Sequence, residues 1–160
     1  MQLRPMTAIY LTRGDRILLL YRIGSRVVGN SYTGAAGGHV EAEEFRDPQA
    51  CVLRELEEET GLTPDALEGL TLRYITQRLK NDEIRQNYYY FAALKEGYEV
   101  NHSNEGRLEW HTLDALEALP MPVTAKAVIR HYVTIGRHNS ILYGGVTAAE
   151  GSVFTEMTDF

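Results

Sequence analysis

Apolar positions at the start of the chain fall in two short runs separated by a turn. Thr7–Thr12 (TAIYLT) and Arg16–Ile23 (RILLLYRI) flank Arg13-Gly14-Asp15, a pattern that predicts a β-hairpin. Ile17 to Leu20 are apolar without interruption, so both faces of the second strand are expected to be covered. Gly24 to Gly34, with Arg26, Asn30, Ser31 and Tyr32, reads as a loop, and Ala35 to Val40 as a short strand. The spacing then becomes helical. Asp47-Pro48 is a helix start, because Asp caps free N–H groups and Pro suits the first helical position; Gly61 is its stop. Leu70–Leu79 and Gln86–Leu94 predict two further strands joined through Lys80–Arg85. Tyr88, Tyr89, Tyr90 and Phe91 alternate faces, so two of the four should point inward, more as packing than as a stacking platform for a base. Trp110 begins a strand or turn that leads to a short helix over Leu113–Leu119. Beyond the breaks at Pro120 and Pro122, Val123–Ile135 predicts a helix with Val123, Ala127, Val128, His131, Tyr132 and Ile135 on its packed side. His131 is expected to be a packing residue. Ile141–Val146 and Ser152–Met157 predict a last hairpin.

Composition narrows the class. The 160 residues are 44% hydrophobic and 24% charged, as expected of one globular domain spanning the whole chain. A formal net charge of −6 argues against a stable nucleic-acid complex or attraction to an anionic membrane. Arg4, Arg13, Asp15 and Arg16 interrupt the N-terminal apolar runs, so neither a signal peptide nor a spanning helix is expected. Cys51 is the one cysteine, which rules out an intramolecular disulfide and agrees with a cytoplasmic setting. It is expected to pack as a small residue, since a thiol is a poor Mg²⁺ ligand.

The chemistry concentrates in Gly37–Leu62, GGHVEAEEFRDPQACVLRELEEETGL. On a helical wheel Glu58, Glu55 and Glu59 fall within an arc of ~100°, while Val52, Leu56 and Leu53 form an adjoining stripe fit for burial. Carboxylates this close repel one another, and a divalent cation removes the repulsion. Hard oxygen donors suit Mg²⁺ or Mn²⁺, which leave coordination positions for water and phosphate oxygens. A plain solvated acidic face is the alternative. Arg22, at a strand end, is a candidate phosphate contact or simply a solvated charge.

The stretch resembles the signature of the Nudix hydrolase family, G-x5-E-x7-R-E-U-x-E-E-x-G-U, where U is bulky and aliphatic. Gly38, Glu44, Arg54, Glu55, Leu56, Glu58, Glu59, Gly61 and Leu62 fill every specified identity. One spacing departs: nine residues separate Glu44 from Arg54 instead of seven. In the family the first glutamate pairs with the arginine. Here Glu44 is the match, with Glu43 and Glu41 as alternatives.

The resemblance implies an α/β/α sandwich with a central mixed sheet between the box helix and the C-terminal helix, plus a C-terminal hairpin. It implies Mg²⁺-dependent hydrolysis of a nucleoside diphosphate linked to a variable group. Glu58 and Glu59 would be the principal ligands, with Glu55 as ligand or general base. Gly38 would offer its carbonyl, and Arg54 would orient the carboxylates. Glu105, in a loop before Glu109-Trp110, matches a further metal contact of the MutT-like branch, and its alternative is a surface loop carboxylate. His39 stands where phosphate contacts occur in relatives, with an ordinary polar strand residue as the alternative, and Thr124 and Lys126 are the polar candidates at the helix entry where some relatives contact the base, although no asparagine stands there. The MutT-like setting favours (deoxy)nucleoside triphosphate pyrophosphohydrolysis. ADP-ribose, dinucleoside polyphosphates, NADH and capped RNA remain alternative substrates, and a catalytically inactive nucleotide sensor is the rival class. Residues 140–160 lie outside the family's minimal core; their hairpin could cover the pocket or the partner subunit of a homodimer.

Overall fold

A computed structural model describes residues 1–23 and 30–160. Eight strands and two helices follow in the order β1 (Gln2–Arg13), β2 (Arg16–Arg22), β3 (Ser31–Gly34), α1 (Pro48–Thr60), β4 (Leu67–Lys80), β5 (Glu83–Leu94), β6 (Arg107–Thr112), α2 (Val123–Thr134), β7 (Leu142–Ala148) and β8 (Gly151–Met157). The strands form one mixed sheet ordered β3-β2-β1-β5-β4-β7-β8, with β6 on the other edge of β2. β1 runs parallel to β5, and β4 runs parallel to β7.

Each face of the sheet buries its own core. Ile9, Leu11, Leu18, Tyr90 and Ala92 meet Val52 and Leu56 of α1 on one side. Tyr10, Ile17, Leu19, Tyr74, Tyr89 and Phe91 meet Val128 and Ile129 of α2 on the other. The run Ile17–Leu20 is therefore apolar throughout because both of its faces are covered. The same holds for the aromatic run in β5. Tyr88 and Tyr90 pack toward α1, and Tyr89 and Phe91 toward α2, so all four pack and not only two.

Four expectations need correction. The predicted loop Gly24–Gly34 lies partly outside the described residues, including Arg26. Its last part, Ser31–Gly34, is a strand, because β1 leaves β2 after Leu18 and the backbone of Leu19–Arg22 needs a new partner. Ala35–Val40 is not a continuous strand. It touches β1 only at separate points: the N–H of Ile9 donates to Ala36 O (2.9 Å), and that of Thr7 to Gly38 O (2.9 Å). A side chain at Gly37 would collide with the Thr7 carbonyl, so the segment bends over β1 there. The connection between β4 and β5 is only Asn81-Asp82, both with positive φ (52° and 58°), the geometry of a tight hairpin turn that matches strand twist. On α2, the buried residues are Thr124, Ala125, Val128 and Ile129, whereas Val123 and Ile135 are about half exposed (50% and 48%). Both exposed residues sit at the ends of the helix, Val123 at its first position and Ile135 at its C-cap.

The final hairpin does form. It extends the sheet beside β4 and packs Phe154 against His131 of α2 (4.8 Å between ring centroids). His131 is a packing residue as expected. Its Nδ1 lies 2.9 Å from the Tyr74 hydroxyl, and burial followed by nearby Arg73 lowers its pKa.

Candidate active site

The caps of α1 set the position of its carboxylates. The N–H of Ala50 donates to Asp47 Oδ1 (3.2 Å), and Gly61 ends the helix in the left-handed conformation (φ 76°). Between these caps the buried arc comprises Cys51, Val52, Leu56 and Glu59. Glu55 is also mostly enclosed, with its side chain 15% exposed, whereas Glu58 is 59% exposed. Two of the three carboxylates, Glu55 and Glu59, are thus enclosed, unlike those of an ordinary solvated acidic face.

Arg54 organises this face. Its Nε and Nη2 donate to the two oxygens of Glu44 (2.7 and 3.0 Å), and its Nη1 donates to Glu55 Oε1 (3.0 Å) and Glu58 Oε2 (3.2 Å). The guanidinium beside Glu44 lowers that carboxyl to about 2. Glu44, and not Glu43 or Glu41, therefore makes the bidentate pair. The longer spacing is absorbed by a 3-10 turn at Ala42–Glu44, whose N-cap Glu41 donates its N–H to Glu44 Oε2 (2.9 Å), and by a second turn that brings the Asp47 N–H to Glu44 O (2.8 Å).

Glu59 differs from its neighbours. Its side chain is buried, and its Oε2 has no hydrogen-bond partner among the described residues. Burial, the charge of Glu55 and the charge of Glu105 raise its pKa to about 7, against the lowering effect of Arg22 and a hydrogen bond from Gly37. Glu105 reaches this neighbourhood because its loop docks on the end of α1: Asn104 donates its N–H to Glu59 O (3.4 Å) and its amide to Glu58 O (3.4 Å). Gly38 closes the other side. A Cβ there would lie 2.2 Å from Glu55 Oε1, so glycine alone lets this backbone approach the carboxylate.

Among the described residues, no three acidic, histidine or cysteine side chains stand close enough to hold an ion as they are. Arg54 itself occupies Glu55 and Glu58. The donor set nevertheless fits a hard divalent cation: an orphaned carboxylate oxygen on Glu59, adjacent Glu55 and Glu105 charges, and a glycine cradle. The Gly38 carbonyl accepts one hydrogen bond from Thr7 and keeps a second lone pair free.

A cavity of about 250 Å³ adjoins the carboxylates. Gly37 and Arg22 belong to both, since each lines the cavity and each acts on Glu59. Thr124 lines it too, with its hydroxyl donating to Thr147 Oγ1 of the last hairpin (3.2 Å). The His39 ring lies elsewhere, exposed and 3.0 Å from Arg4 Nη2. Cys51 is fully buried against Thr7 Oγ1 (3.3 Å). Three lining residues escaped the sequence reading: Arg78, Arg85 and Asn87. No sequence signal pointed to them, because Arg78 and Arg85 face each other only through the two-residue turn at Asn81-Asp82.

The family model that describes the Nudix domain matches residues 2–132. The chain belongs to the Nudix family. A Nudix hydrolase of Bacillus subtilis, YvcI, is 30% identical over 125 residues, covering 74% of this chain and 72% of that protein. The crystal structure of a MutT protein from Bacillus halodurans superposes with a TM-score of 0.70 at 25% identity, covering 96% of this chain and 97% of that one. A MutT Nudix hydrolase from Burkholderia pseudomallei gives a TM-score of 0.63 at 26% identity, with 81% and 98% covered. This Nudix protein is accordingly a hydrolase of pyrophosphate-type bonds with MutT-like structural neighbours, from a family that generally uses a divalent metal. The match ends at Tyr132, so the last hairpin lies beyond it. Among the described residues no helix is long and apolar enough to cross a membrane.

Proposed function

We propose that this protein is a Mg²⁺-dependent pyrophosphohydrolase of MutT type, which converts a (deoxy)nucleoside triphosphate to the monophosphate and pyrophosphate. One observation carries the proposal. The carboxylate of Glu59 is buried with an unpartnered oxygen, faces the charges of Glu55 and Glu105, and borders the cavity through Gly37 and Arg22. Burying a carboxylate without a partner is costly, and the cost is offset when a cation completes the site.

In this reading Glu58 and Glu59 are the principal ligands, Gly38 offers its carbonyl and Glu105 a further carboxylate. Glu55 serves as ligand or as general base toward water. Bound Mg²⁺ would supply neutralisation of phosphate charge and a lowered pKa for water. Arg54 holds the glutamates in register while the ion is absent. Arg22 neutralises a phosphate at the boundary between carboxylates and cavity, and the cavity takes the nucleoside.

The test is release of pyrophosphate from a panel of nucleoside triphosphates with Mg²⁺, comparing the wild type with Glu58→Gln. Metal-dependent turnover that falls by roughly 100-fold or more in the variant is expected, beyond the 10–100-fold typical of groups that only support ligands. Equal, metal-independent background rates in both proteins would instead identify a nucleotide sensor.

A further inference from the structure

The end of the cavity remote from the carboxylates is basic, and no group in the mechanism above uses it. In the sheet register Arg4, Arg85 and Arg78 occupy neighbouring positions of β1, β5 and β4 in one row, with side chains on the α2 side. One carboxylate serves this row: Glu83 accepts from Arg85 Nε (2.8 Å) and lies 3.8 Å from Arg4 Nη1. Arg78 makes no ion pair or side-chain hydrogen bond among the described residues. Like charges facing each other across strands are destabilising. A chain of net charge −6 has carboxylates enough to neutralise such a row, yet two cationic charges stay uncompensated here. Arg78 and Arg85 line the cavity with Asn87, whose amide can also donate.

We propose that Arg78 and Arg85 form a second anion-binding subsite, which receives a phosphoryl group carried by the nucleoside part of the substrate. This rests on the pyrophosphohydrolase reading, and it narrows the substrate class to nucleotides that bear an additional phosphate on the sugar. Planar guanidinium groups bind phosphate bidentately, and side by side they match its several acceptor oxygens. The spacing agrees. Arg85 lies three residues along β5 from Tyr88, the partner of Thr7, on which the Gly37 bend sits. That is roughly 10 Å along the strand, and Arg78 is one strand further away. The two charged ends of the cavity are therefore separated by about the length of a nucleoside.

The proposal is tested by calorimetric binding of adenosine 3′,5′-bisphosphate, adenosine 5′-monophosphate, guanosine 5′-monophosphate and inorganic phosphate to the full chain in EDTA. This readout needs no turnover. The bisphosphate should bind at least ~10-fold more tightly than the adenosine monophosphate, the value of one good charge-assisted pair. The preference should vanish in Arg78→Gln and return only in part in Arg78→Lys, which restores charge without the fork. Thermal melts of both variants establish that they are folded. Equal affinity for both adenosine nucleotides would overturn the subsite. So would inorganic phosphate binding as tightly as the bisphosphate, which would mark a free-anion site. An Arg78→Gln effect confined to discrimination between the adenine and guanine monophosphates would also overturn it, because the arginines would then read the base. Absence of nucleotide turnover alongside an intact bisphosphate preference would count against the hydrolase reading alone. Turnover without the preference would count against the subsite alone.

Discussion

The two ends of the cavity solve opposite electrostatic problems. At one end carboxylates gather on one helix and the turn before it, and Arg54 binds Glu55 and Glu58 of the helix together with Glu44 of the turn. At the other end arginines gather on adjacent strands, with Glu83 as their one carboxylate among the described residues. The acidic end carries its own counter-ion and is held together without ligand, apart from the orphaned oxygen of Glu59. The basic end is left unbalanced. The difference teaches that local charge excess is informative only after internal pairing is subtracted. By that measure Glu59 and Arg78 are the groups that wait for a partner.

The strongest way to break the contrast is Arg54→Ala. It leaves Glu44 enclosed without its cation and should cost about 2–4 kcal/mol, somewhat less than a fully buried pair because Arg54 is a quarter exposed. Chemical denaturation of variant and wild type measures it. Arg54→Lys should recover part of the loss, since one ammonium cannot replace the fork to both Glu44 oxygens.

Next in size is Glu59→Gln. Metal-dependent turnover should fall by roughly 100-fold, while the thermal midpoint in EDTA stays level or rises, because an unpaired buried charge has been removed. A clear fall of that midpoint would show Glu59 to be a structural group.

Acid sharpens the comparison further. The Glu44 carboxyl is lowered to about 2 by Arg54, from an unfolded value of 4.5. Its contribution is present above pH about 4.5 and is lost as pH falls toward 2. Between pH 6 and pH 3 the wild type should lose about 1–2 kcal/mol more stability than Glu44→Gln, after allowance for solvent screening. Parallel losses in the two proteins would place the stabilising charge elsewhere.

The smallest effect is expected from Glu83→Gln at the basic end. Removing the acid that pairs with this row should tighten adenosine 3′,5′-bisphosphate by a few-fold, about the value of one exposed ion pair, and the gain should fade at high salt.

The acidic end was legible in the sequence because its parts are contiguous. Asp47, Pro48 and Gly61 fix the ends of one helix, and fixed ends determine which glutamates share a face. The identities of Glu44 and Arg54 announced their pairing, although the longer spacing left open which glutamate would take part. The basic end was not legible. Arg78 and Arg85 meet only because Asn81-Asp82 makes a two-residue turn, and the expected wider connection from Lys80 to Arg85 would have left Arg85 outside any ladder. Helix α2 was found, but its packed side was misjudged. Apolar periodicity treats Val123 and Ile135 like their neighbours, whereas both stand at the ends of the helix and are about half exposed. Ser31–Gly34 was missed as a strand because its reason for pairing lies in the divergence of β1 from β2.

Cys51 has a practical consequence. It belongs to the box helix, its sulfur is fully enclosed against Thr7 of β1, and burial pushes the thiol up to about 11. An alkylating reagent at neutral pH can therefore reach it only when α1 lifts from β1, so the rate of covalent labelling becomes a clock for opening of the acidic end. Added Mg²⁺ should slow that clock, and a site that never holds the ion would leave it ticking at the same pace.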